Sequence, residues 1–114
     1  MITPEKVETR LYELSKEIDL AHDELVNAEK TYHTNKAVFE VAIARARLTI
    51  GQNNLKLRVG DIADRALVDC EKQWTDLMFA EAMVKAARAN SNRVRTQVDI
   101  ARSIGTSVRA ALDI

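Results

Sequence analysis

Glycine and proline are the scarcest punctuation in this chain, with three glycines and one proline in 114 residues. Few chain reversals are therefore available. A single cysteine, Cys70, excludes an internal disulfide framework and fits a reducing compartment. Aromatic residues make up only 4% of the sequence, while Ala, Leu, Glu, Lys and Arg abound, the bias of long helices and coiled coils. No apolar run approaches the roughly 20 residues that cross a bilayer. The segment Met1-Ile2-Thr3-Pro4-Glu5-Lys6 lacks the charged start and apolar stretch of a signal peptide. Net charge is also absent, since 17 basic residues balance 17 acidic ones, so any affinity for nucleic acid must come from local clustering. A cytoplasmic protein with no membrane partner is the expectation.

Constellations for chemistry are missing as well. His22 and His33 stand eleven residues apart without a cysteine pair beside them, which argues against a metal site. Carboxylates are spread over helix surfaces, and no glycine loop suited to phosphate occurs. The expectation is a protein that is not an enzyme and takes no cofactor.

What is present is a long periodicity. After Thr3-Pro4, a good helix start, apolar residues recur at alternating steps of four and three. The series runs Val7, Leu11, Leu14, Ile18, Ala21, Leu25, Ala28, Tyr32, then through Asn35 to Phe39, Ala42 and Ala46. This heptad stripe predicts a helix from about 4 to 50, roughly 70 Å long at 1.5 Å per residue. The turn formers Gly51-Gln52-Asn53-Asn54 and Gly60-Asp61 bracket a loop at about 51–60, with Gly60-Asp61 reading as an N-cap. The alternation Leu55-Lys56-Leu57-Arg58-Val59 finds no partner strand and reads as an ordered loop or short extended arm. A second stripe then runs Ala66, Cys70, Gln73, Leu77, Ala80, Val84, Ala87, Ser91, Val94, Val98, Ala101, Gly105, Val108, Leu112. It predicts a helix over about 61–111. Cys70 sits on this stripe as a small core residue, and Gly105 marks fraying or a close contact. The fold class expected is all-α: one domain, 1–114, formed by a long antiparallel two-helix hairpin.

Such a hairpin buries one stripe per helix and leaves its flanks open. Leu20, Val38, Val41, Leu48 and Ile50 lie off the first stripe, and Ile62, Leu67, Trp74, Met78, Phe79 and Met83 off the second. Most fall in the half nearest the loop and predict an apolar patch around Trp74. Self-association into a homo-oligomer is expected, with Val41, Leu67, Trp74, Met78 and Phe79 as its contact residues.

Charge is uneven along the chain. Residues 41–60 contain Arg45, Arg47, Lys56 and Arg58 and no acid, beside Gln52, Asn53 and Asn54. Clustered cations with amide donors nearby suit phosphate oxygens, and repetition around an oligomer multiplies a weak site. Elsewhere the acidic start of the first helix lies beside the basic end of the second, so those charges complement each other.

The segment Ala44-Arg45-Ala46-Arg47-Leu48 resembles a motif of the UvsY-type recombination mediators of T-even phages. These are small helical proteins that oligomerise and help load a recombinase onto single-stranded DNA. Trp74 with Leu77 and Met78 is similar to the family's aromatic-then-aliphatic run, and the stretch from Thr96 to Ser103 resembles small helical phage proteins. The resemblance implies that Arg45 and Arg47 contact single-stranded DNA. Thr49 and Ile50 stand where the family has aromatic residues, so phosphate contact rather than base stacking is implied. The expected function is an oligomeric single-stranded-DNA-binding recombination mediator in the cytoplasm of a phage's host, with Lys56 and Arg58 assisting and a recombinase as partner. The alternative is a protein–protein interaction or virion assembly module that uses the apolar belt around Trp74 and Phe79.

Overall fold

The computed structural model describes residues 1–113 and is all-helical, with no strand among the described residues. Helix α1 spans Pro4–Asn53, α2 spans Val59–Asp69 and α3 spans Glu71–Leu112. No helix of the described residues is long and apolar enough to cross a membrane.

Each helix boundary has a local cause. At the start of α1 the Thr3 hydroxyl accepts from the Lys6 amide at 3.3 Å, and Pro4 takes the first helical position. α1 runs through Gly51, Gln52 and Asn53, which the turn-former reading assigns to the loop. Gly51 is half-buried against Ile62, whose Cδ1 lies 3.8 Å from where a Cβ would stand, so packing holds it in the helix. Asn54 closes the helix by donating from Nδ2 to the Ile50 carbonyl at 3.2 Å. The connection shrinks to Asn54–Arg58, a turn in which the Leu57 amide bonds the Asn54 carbonyl at 3.1 Å.

α2 begins two residues before the expected N-cap. Arg58 occupies the cap without a side-chain bond, and its carbonyl accepts from the Ile62 amide at 3.0 Å. Gly60 and Asp61 thus fall inside the first turn, where the Asp61 carboxylate complements the helix dipole. The second long helix is interrupted at Cys70, with φ −102° and ψ 22°. The interruption is slight, because the Cys70 amide still bonds Ala66 and Leu67 and its carbonyl accepts from Trp74 at 2.9 Å. The stripe keeps its phase across it, with Ala66 and Cys70 both buried.

Two compact units account for the packing. The first joins Met1–Asn27 with the chain from Lys85 onward, and the second is Ala28–Val84. In the first unit α1 and α3 run antiparallel: Val7 meets Gly105, Leu14 packs with Val98 and Ala101, and Leu11 and Ile18 flank that cluster. Arg10 donates to Gln97 across the pair at 3.4 Å and lies 3.3 Å and 3.7 Å from the Glu13 and Glu17 carboxylates. In the second unit Ala66, Cys70, Leu77, Ala80 and Val84 are buried. Tyr32, Asn35, Phe39, Ala42 and Ala46 of α1 are half-buried there. Small residues dominate this stripe and allow close helix approach.

Gly105 marks a close contact rather than fraying, since it is buried within α3 and a Cβ there would stand 3.0 Å from Val7 Cγ1. Gly105→Leu is expected to destabilise the first unit by about 1–3 kcal/mol through overpacking. Thermal unfolding followed by circular dichroism checks this. An unchanged midpoint would show that the two helices are not held this close.

Candidate nucleic-acid interface

Arg45 and Arg47 sit near the end of α1, on either side of half-buried Ala46. Lys56 and Arg58 follow in the turn and at the cap of α2. All four are exposed, and none has a carboxylate partner among the described residues. Gln52, Asn53 and Asn54 are exposed beside them. No group of three or more His, Cys, Asp or Glu among the described residues is placed to hold a metal ion.

The surroundings are less one-sided than the linear order implies. Folding places Asp64 and Asp69 of α2 beside Ile50 and Asn54, and these residues with Arg65 and Val68 line an open groove of about 430 Å³. Over the whole second unit, eight cations (Lys30, Lys36, Arg45, Arg47, Lys56, Arg58, Arg65, Lys72) meet eight carboxylates (Glu29, Glu40, Asp61, Asp64, Asp69, Glu71, Asp76, Glu81). Phosphate affinity here must come from arrangement rather than from net field.

Helical geometry separates the two arginines. Residues two apart are rotated by about 200° around an α-helix, so Arg45 and Arg47 project to opposite sides of the buried stripe. Val38, Val41, Arg45 and Leu48 form one ridge of α1, at steps of three and four. Glu29, Lys36, Glu40 and Arg47 form the ridge on the other side. On α3, Lys72, Asp76, Phe79 and Met83 lie to one side of the stripe, and Glu71, Trp74, Met78 and Glu81 to the other.

In the first unit Arg10 of α1 bonds Gln97 of α3. Val38 and Arg45 share the heptad position of Arg10, and Asp76 and Met83 share that of Gln97.

In the second unit Val38, Val41, Leu48, Phe79 and Met83 are each about half exposed or more, with Phe79 at 68%. Trp74 is 43% exposed, Leu67 of α2 is exposed and Met78 is half-buried. Lys72 and Asp76 form an ion pair at 3.7 Å.

No family model, no curated protein and no solved structure matches the chain.

Proposed function

We propose that the protein is a non-enzymatic, self-assembling factor that binds single-stranded DNA and acts as a recombination mediator. Its long helical hairpin carries the binding residues at the turn end, and copies assemble through the apolar flanks of the second unit. The observation that carries this reading is the set Arg45, Arg47, Lys56 and Arg58, exposed and without a carboxylate partner among the described residues, within a short span beside three exposed amide side chains. Guanidinium and ammonium groups in that state remain free to take phosphate oxygens, which dominate affinity for nucleic acid. The resemblance of Ala44-Arg45-Ala46-Arg47-Leu48 to the mediator motif points the same way, and it adds a recombinase as protein partner.

Fluorescence anisotropy of labelled oligo-dT, at low salt and on protein of known assembled mass, tests the proposal. The Arg45→Ala/Arg47→Ala variant is expected to bind at least roughly tenfold more weakly, since each lost charge-assisted phosphate contact is worth about 1.5–3 kcal/mol before relaxation. Its helicity should be unchanged, because both side chains are exposed. Equal binding by variant and parent would reject the site.

The exposed apolar residues support a second reading, a protein–protein or virion assembly module using Trp74 and Phe79 on a foreign partner. It predicts no oligo-dT binding by a well-assembled protein.

A further inference from the structure

Leu55 and Val59 are, after Met1, the most exposed large apolar side chains among the described residues, at 90% and 85%. Leu55 stands in the turn that follows α1, and Val59 is the first residue of α2. Between them Leu57 is half-buried, and its amide bonds the Asn54 carbonyl at 3.1 Å. The turn is therefore anchored through Leu57, while its two aliphatic neighbours stay in water. A Cβ placed on Gly60 would meet nothing within 4 Å, so the start of α2 is open as well.

A single exposed leucine is ordinary. Here two aliphatic side chains are held at one turn and interleaved with exposed Lys56 and Arg58. Contact with a DNA backbone employs the cations and leaves Leu55 and Val59 idle. A bilayer surface employs all four. Its anionic headgroups take the cations, and the boundary below them accepts aliphatic side chains. Lys and Arg suit that setting, because their apolar stems lie along the boundary while the charged ends stay with the phosphates. Insertion stops at the interface, since a turn's unpaired amides and carbonyls do not enter hydrocarbon. Asp61, Asp64 and Asp69 of α2 keep the local charge from being strongly positive. Charge alone is thus a weak hold, and the aliphatic pair has to supply the rest.

We propose that the turn end docks on an anionic lipid surface, with Leu55 and Val59 entering the headgroup boundary and Lys56 and Arg58 taking lipid phosphates. This goes beyond the DNA reading and does not depend on it. The expectation of no membrane partner came from the lack of a spanning run, which a surface contact does not need.

Cosedimentation of the full chain with vesicles at low salt tests the docking. The chain should pellet with phosphatidylcholine vesicles that contain phosphatidylserine, and at least about tenfold less with phosphatidylcholine alone, since each basic residue at an anionic surface multiplies affinity about fivefold. Leu55→Ser/Val59→Ser should bind the anionic vesicles at least roughly tenfold more weakly, about the factor that burying one such side chain supplies. Its helicity should match the parent's, because both side chains are exposed. Its oligo-dT anisotropy should be unchanged. Lys56→Ala/Arg58→Ala should narrow the difference between the two kinds of vesicle.

Failure of the unsubstituted chain to pellet with anionic vesicles would overturn the proposal. Equal pelleting by Leu55→Ser/Val59→Ser would do so too, because it would leave a charge effect without insertion. An equal loss of vesicle and oligo-dT binding in that variant would assign the aliphatic pair to the DNA contact and overturn it as well. Vesicle binding without any oligo-dT binding would uphold the lipid contact and reject the function proposed above.

Discussion

Replacing Leu14 by alanine should lower the stability of the first unit by about 2–5 kcal/mol, the range of buried Leu-to-Ala changes in well-packed cores. Leu14 is 0% exposed and packs with Val98 and Ala101, with Leu11 and Ile18 partly buried around it. Among the described residues Leu14 and Val94 are the largest fully buried side chains, so this unit has no thick core to absorb the loss. Two facing helices also cannot collapse inward around a cavity without giving up the heptad contacts above and below it. Native proteins are stable by only about 5–15 kcal/mol, so the change is a large share of what is available. Urea unfolding followed by ellipticity at 222 nm measures it, with Tyr12→Ala as comparison. Tyr12 is 64% exposed, with Lys16 Nζ 4.5 Å from its ring centroid. Equal midpoints for the two variants would mean that the Leu14 stripe is not the packed face.

The stripe itself is legible in the sequence, because burial on a long helix follows a period that single residues do not need to carry. Every position from Val7 to Ala46 in the first series is buried or half-buried, Asn35 included. In the second series all but Leu112, in the last turn, are likewise covered. Asn35 shows why: one polar residue does not break a phase set by its neighbours.

Boundaries were less legible, since they depend on contacts made elsewhere in the chain. Gly51 and Asn53 read locally as turn residues, yet Gly51 is held in α1 beside Ile62, a residue eleven positions on. Cys70 gives no local sign of a helix break, being neither Gly nor Pro, and the backbone resumes at once. I–i+2 spacing misleads in another way at the site. Arg45 and Arg47 look adjacent in the sequence, and helical rotation sends them to opposite sides of α1. The approach of Asp64 and Asp69 to Ile50 and Asn54 was not available, because it depends on where the short turn lays α2.

Salt should change oligo-dT affinity more than any single substitution. For single strands the slope of log K against log salt is about −0.7 per phosphate neutralised, so a strand held at six to ten phosphates loses roughly 10²–10⁴ in affinity between 50 and 200 mM salt. The balance of eight cations and eight carboxylates in the second unit makes this informative. A unit without net charge exerts little long-range pull, so a steep slope has to come from cations in contact with phosphates. Lys30→Ala, remote from the turn, should then leave the slope as it is, while Lys56→Ala/Arg58→Ala should make it shallower. Residues 40–58 include no aromatic side chain to stack on bases, so oligo-dT and oligo-dA of equal length should give similar slopes and affinities. A flat salt response, or a strong preference for one base, would require contacts that this end of the protein does not possess.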